Sequence, residues 1–307
     1  MKDFIYKLLI IISLMLSSTL SNAQQQVQFS QYMYNTQMVN PAYMGTQGKL
    51  EAFFIHRSQW VGLEGAPRTQ NFGVSGSIND AIAIGLNVVN DKIGPSSLTV
   101  INAAISSKVA LSNDISLSFG LNGGIDMISV DWSKGQSMVE DDAAMTNNIQ
   151  NRVRPMVGAG AYLYSDNWYF GVSTPSFIYV DKFAKLGEAS IDPKMHLYGI
   201  AGYVFDIKEE IKLKPSLLMK GVRGAPITFD LSVNTLIKNQ YSAGLGYRFH
   251  DAMYVMLGYT FKNFLFIGYA YDFGVNKLRN YNTGSHDIIV KYTLWPKNVG
   301  VSSPRFF

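Results

Sequence analysis

From residue 50 to residue 295 the chain runs in short stretches whose side chains alternate between apolar and small or polar, and turn residues separate the stretches. A period of two is the signature of a strand with unlike faces. In residues 115–125, Ile115, Leu117, Phe119, Leu121 and Ile125 share one face, while Ser116, Ser118, Gly120, Asn122 and Gly124 share the other. Met253, Val255, Leu257, Tyr259 and Phe261 repeat the pattern. Ala243, Leu245, Tyr247 and Phe249 oppose Ser242, Gly244, Gly246 and Arg248. The second face carries few charges, where the outer face of a soluble sandwich would carry many.

Composition sharpens the point. Charged residues make up 16% of the chain, against roughly 25% in ordinary globular domains. There are 18 Tyr, 18 Phe and 27 Gly. A total of 0 Cys excludes disulfides and thiol chemistry. Residues 1–23 have the form of a cleaved signal peptide: Lys2 and Lys7, the apolar run Leu8 to Leu16, then Ser21-Asn22-Ala23, with Gln24 expected as the first mature residue. No later stretch approaches the ~18–20 apolar residues of a membrane helix. The formal charge of +4 is mild and scattered, with no stripe suited to nucleic acid.

These features together predict an all-β fold, a transmembrane antiparallel β-barrel of about 14 strands, in the outer membrane. The strands are expected near 50–60, 68–78, 81–91, 97–111, 115–129, 152–165, 168–178, 193–206, 211–220, 225–237, 240–249, 253–261, 264–273 and 285–295. Most match the ~9–11 residues that span a bilayer as a tilted strand. Closure is what lets so many strands satisfy their backbone in lipid. The connections alternate in length, as they do in bacterial barrels with short periplasmic turns. Asn79-Asp80, Ser112-Asn113-Asp114, Ser165-Asp166-Asn167, Lys208-Glu209-Glu210, Asn239-Gln240 and Lys262-Asn263 are tight, whereas 130–151, 179–192 and 274–284 are long. His250-Asp251 is the short exception among the long set. The division expected is 1–23 signal peptide and 24–307 barrel domain, with a plug-like segment at 24–48, the barrel at 49–295 and a tail at 296–307.

Chemistry is sparse. His56, His196, His250 and His286 form no close pair, so no metal or other cofactor is expected. Glu140-Asp141-Asp142 lacks the spacing of a calcium loop and reads as a solvated loop. No GxSxG nucleophile motif is present. Gly120-Leu121-Asn122-Gly123-Gly124 resembles a phosphate loop only superficially; within an alternating strand such residues mark close packing or a lumen wall. Arg154, Lys212, Lys214, Lys220, Asp230 and Arg248 fall on the lumen side and read first as interior polar pairs, or else as a charge ring for solute selection.

One segment is not generic. Residues 29–76 contain Phe29-Ser30-Gln31-Tyr32, then Asn40-Pro41-Ala42-Tyr43 with Gly45, then Arg57 with Gln59-Trp60-Val61-Gly62, then Gly65-Ala66-Pro67 with Thr69-Gln70. Near the end come Gly284-Ser285-His286-Asp287-Ile288 and Pro304-Arg305-Phe306-Phe307. This ordered set closely resembles the PorP/SprF family of Bacteroidetes outer-membrane proteins. Asp287 stands where a Glu is usual. The resemblance implies a non-enzymatic partner of the type IX secretion system. Such a protein would support export and surface attachment of a secreted protein, gliding adhesins included, by receiving its C-terminal domain. It also implies contact with secretion and gliding machinery, and with outer-membrane lipid. The alternative is a diffusion channel or hydrophobic-compound transporter. The motif residues Phe29, Gln31, Tyr32, Asn40, Pro41, Tyr43, Gly45, Arg57, Gln59, Trp60, Gly62, Gly65, Pro67, His286, Pro304, Arg305, Phe306 and Phe307 are the candidates for partner binding or plugging. The mature N-terminus is expected in the periplasm beneath the barrel, and residues 29–48 are expected to tuck against the periplasmic mouth or into the lumen as a partial plug, with Asn40-Pro41 setting a turn. Trp60 is expected at the outer end of the first strand, in a girdle or a partner site.

Overall fold

A computed structural model describes residues 28–134, 148–179, 195–222 and 225–294. Residues 1–27 and 295–307 lie outside it, as do most of the loops at 130–151 and 179–192. The expectations for the signal peptide, for Glu140-Asp141-Asp142 and for Pro304, Arg305, Phe306 and Phe307 therefore fall outside the described residues.

The rest is one closed wall of antiparallel strands. In chain order these are β1 (Leu50–Ser58), β2 (Arg68–Ser77), β3 (Ile82–Ile93), β4 (Ser96–Ala110), β5 (Ser116–Val130), β6 (Ile149–Tyr164), β7 (Trp168–Tyr179) and β8 (His196–Tyr203), then β9 (Phe205–Lys208), β10 (Ile211–Val222), β11 (Thr228–Ile237), β12 (Tyr241–Arg248), β13 (Ala252–Phe261), β14 (Leu265–Gly274) and β15 (Ser285–Leu294). β8 and β9 are two halves of one stave, because both pair with β10. The break is at Val204, whose side chain turns inward and is buried. The 15 segments thus make 14 staves, each paired with its neighbour in sequence. β1 pairs with β15, with Phe54 opposite Val290, which closes the cylinder.

The alternation in the sequence becomes the two faces of this wall. Phe119 and Leu121 point out and are 54% and 59% exposed. Leu245 and Leu257, at 65% each, also point to where lipid would lie. Gly120, Asn122, Gly244 and Gly246 face the lumen. Glycine in a strand interior normally weakens it; here it lets the wall recede and gives room to other backbone and bulky rings. A Cβ on Gly246 would lie 2.1 Å from the Tyr254 ring.

Every stave contributes at least one inward residue with under 9% exposure, such as Phe53, Asn71, Tyr162, Leu218, Tyr254 and Ile289. A barrel of this size left empty would hold water and expose such residues. They are buried because residues 28–48 lie inside. This arm forms three short helical turns, Tyr32–Tyr34, Thr36–Val39 and Pro41–Tyr43. Phe29, Tyr32, Tyr34 and Tyr43 pack with the wall into one buried cluster.

Candidate functional site

The site is the seam between arm and lumen, at its strongest where both are polar. Five wall side chains converge near the long-loop ends of their strands: Arg57 on β1, Asp230 on β11, Arg248 on β12, Asp272 on β14 and Asp287 on β15. Arg57 grips two carboxylates, Asp287 Oδ1 at 2.6 Å and Asp272 Oδ2 at 2.9 Å. Arg248 reaches Asp230 at 3.0 Å, Asp272 at 3.6 Å and the half-exposed Asp251 at 3.2 Å. Tyr254 donates its hydroxyl to Asp230. The five charged side chains are each 3% exposed or less. Ionised, they are two cations against three anions, and a buried set of this kind persists only if its hydrogen bonds are met.

The arm supplies several of these partners, and leaves Arg57 Nε and Asp272 Oδ1 without one. Ser30 Oγ donates to Asp272 Oδ2 at 2.7 Å and accepts from Arg57 at 3.3 Å and from Arg248 at 3.2 Å. Its backbone N–H donates to Asp287 Oδ2 at 2.9 Å. Gln31 donates to the Asp287 carbonyl at 3.1 Å. Gln28 reaches Asp230 at 3.4 Å. Hydrogen bonds to ionised groups are the stronger class, so this one serine is where arm and wall are tied.

Further along, Tyr32 shares a hydrogen bond of 3.2 Å with Ser232. Ser173 donates to the Val39 carbonyl at 2.6 Å. Asn40 donates to the Ala161 carbonyl at 3.1 Å, and its Oδ1 accepts from the Ala42 N–H at 2.9 Å, so it caps the turn that Pro41 starts. The wall recedes under this turn. A Cβ on Gly120 would sit 2.3 Å from the Ala42 nitrogen, and one on Gly160 would sit 2.2 Å from Asn40 Oδ1. Tyr43 meets Tyr162 edge to face at 5.6 Å, and Tyr162 stacks on Tyr169 at 5.7 Å. Ser106 donates to the Met44 carbonyl at 2.7 Å. Between Phe29, Tyr32, Met38, Tyr198 and Leu218 the space left is about 10 Å³, room for one water.

Of the sequence candidates, the structure brings Phe29, Gln31, Tyr32, Asn40, Pro41 and Tyr43 into the lumen, all buried, and Arg57 opposite them. Gly45 lies at the short-turn mouth at φ +71, against Ala83 and Ser77. Gln59, Trp60, Gly62, Gly65 and Pro67 are apart from these, in the β1–β2 loop. That loop is tied to its neighbours: Trp60 N–H donates to Ser285 Oγ at 3.1 Å, Val61 N–H to the Gly284 carbonyl at 2.9 Å, and Gly94 N–H to the Gly65 carbonyl at 2.9 Å. Trp60 takes a φ of +49 in this loop, beyond the end of β1. His286 points out of the barrel and pairs with Tyr269 at 2.6 Å. Among the described residues no group of His, Cys, Asp or Glu is arranged to hold a metal ion. Arg154, read from sequence as an interior polar group, makes a forked pair with Asp126 through two 2.8 Å bonds. Sequence reasoning missed Ser30 and Asp272 as members of the site. It noted Asp287 only as a motif position, with no hint of its partner.

The expected place of the mature N-terminus, beneath the barrel, falls outside the described residues, but the first described part of the arm is not beneath the short-turn mouth. Gln28 to Gln31 lie near the long-loop ends, and the chain then descends to Gly45 at the short turns. The cause is the position of the charge cluster, which holds Ser30 at the long-loop end.

A family model for type IX secretion system membrane proteins PorP/SprF matches residues 21–292. The chain belongs to the PorP/SprF family. No curated protein matches the sequence. Among solved structures, the toluene transporter TbuX of Ralstonia pickettii is similar in fold at a TM-score of 0.51 and 8% identity, over 86% of this chain and 93% of that one. A deletion mutant of the monoaromatic hydrocarbon channel TodX gives 0.50 and 11%, over 83% and 93%. At such identities the likeness shows the fold alone, that of outer-membrane barrels. Fold and family together make this PorP/SprF member an outer-membrane β-barrel associated with type IX secretion.

Proposed function

We propose that this barrel works by binding and not by passing solutes: it is a non-enzymatic partner of the type IX machinery that holds a secreted protein at the cell surface. The observation that carries this reading is the filled lumen. The buried arm, the paired charges and the inward tyrosines leave no wide path among the described residues, so a diffusion channel lacks its main requirement. The fold neighbours are a transporter and a channel by name, but among the described residues no feature of this lumen favours that reading. The long-loop mouth, where the motif loop 59–67 is braced against 283–285, is the natural place for a secreted domain to dock. The C-terminal domain of a type IX cargo, a gliding adhesin among them, is the partner the family suggests. The short-turn mouth would then meet secretion or gliding components.

The test is purification of the native protein from outer membranes in mild detergent after crosslinking, with mass spectrometry of the crosslinked peptides. Crosslinks from the long-loop mouth to one secreted protein, or from the short-turn mouth to type IX components, support the reading. A barrel recovered without crosslinked partners contradicts it.

A further inference from the structure

We infer that the N-terminal arm enters the barrel from the long-loop mouth, so that Gln28 is presented toward the cell surface, and that the Ser30 cluster latches that end in place. The order of contacts fixes the direction. Ser30 meets Arg57, Arg248, Asp272 and Asp287, all within a few residues of the long-loop ends of their strands. Val39 meets Ser173 in the middle of β7, and Asn40 meets Ala161 toward the short-turn end of β6. Met44 meets Ser106, and Gly45 accepts from Ser77, at the short-turn end. An arm that entered from below would reverse this sequence.

The chemistry of the arm suits such a path. Residues 24–48 contain no Asp, Glu, Lys, Arg or His. A charge-free segment can lie along a lumen without carrying ions out of water, which costs several kcal/mol each. All the charge at the seam belongs to the wall, and the arm answers it with hydroxyl, amide and backbone groups. Gly45 at φ +71 and Gly48 at φ +66 reverse the chain directly before β1. Arm and β1 are therefore an up-and-down pair, and the arm goes in as the inner leg of a hairpin while the barrel closes around it. No threading of a finished pore is needed.

This inference rests on the reading that the long loops face outside, and the experiment separates the two. A site for a specific protease is inserted ahead of Gln28, with control sites at Tyr281 in the long loop and at Asn113 in a short turn. Each is expressed in the full chain, and heat-modifiable mobility reports the folded barrel. Cleavage of the Gln28 and Tyr281 sites on intact cells, with the Asn113 site cut only after permeabilisation, is expected. Protection of the Gln28 site on intact cells while the Tyr281 site is cut overturns the inference and leaves the orientation standing. Cleavage at Asn113 with protection at Tyr281 reverses the orientation and overturns surface display with it. For the latch, Ser30→Ala is expected to speed hydrogen exchange of the arm amides by about tenfold or more, the weight of a hydrogen bond to a charged group. Unchanged exchange there refutes the latch.

Discussion

Arg57 is the place where one change should cost most. Its guanidinium donates to Asp287, Asp272 and Ser30 at 2.6, 2.9 and 3.3 Å. Its side chain is 2% exposed, and those of Asp272 and Asp287 are 3% and 0% exposed. Arg57→Met keeps most of the stem volume but removes the cation. The buried balance then passes from two cations against three anions to one against three, and Arg248 stands 3.6 Å from Asp272 as the remaining counter-charge. Removing one partner of a buried pair typically costs ~3–5 kcal/mol, because the other is left uncompensated. The expected loss is in that range. It should shrink when Asp287→Asn is added, since the second change removes the stranded charge, so the pair of substitutions should be clearly non-additive. The assay is denaturant unfolding of the refolded barrel in detergent, followed by tryptophan fluorescence, with hydrogen exchange reporting the arm. A loss below about 1 kcal/mol, the weight of an exposed pair, would mean that the cluster is wetted and the arm is not seated on it.

Other outcomes follow from the same geometry. Gly120→Val puts a branched side chain where a single Cβ already lies 2.3 Å from the Ala42 backbone; a loss of ~1–3 kcal/mol is expected from overpacking, with faster exchange at Asn40 to Tyr43, and unchanged exchange there would show that the recess does not hold the arm. Lys49, just ahead of β1 at the short-turn mouth, has its ammonium pushed down to about 7 by burial and by Lys291, against the pull of Glu51. A depressed lysine disfavours the fold when it is protonated, so the fold is most favoured above the ordinary value of 10.5, loses stability as pH drops through that window and is flat below about 7. Denaturant midpoints should therefore rise between those limits, and Lys49→Met should remove that part of the slope; an identical slope in the variant would refute the assignment.

The staves were legible because lipid on one side and a crowded lumen on the other impose a period of two on every strand. All fourteen fall where the alternation puts them, with ends displaced by a few residues. β6 begins at Ile149 and not 152, and β11 begins at Thr228 and not 225. The break at Val204 was hidden, since Gly202 and Phe205 on either side of it keep one register against β10; the register shifts only further on, between Ile211 and Lys212. The lumen was harder to read. Arg57 and Asp287 are 230 positions apart, and no local rule pairs them. Gly120 and Gly160 advertised small side chains, but what fills the recess depends on a turn at Asn40 that comes from elsewhere in the chain. The direction of the arm had no sequence signal at all; it follows from where five separated charged residues meet.

The most direct test is electrical. The full-length barrel, reconstituted in planar bilayers, should show no steady ion conductance across the range of voltages that leaves its heat-modifiable mobility intact. A variant lacking residues 28–45, or Gly120→Trp if that deletion does not fold, should show discrete openings as the lumen is vacated. A steady open channel in the full-length protein, unchanged when the arm is removed or displaced, would contradict the filled lumen and with it the case for binding over passage.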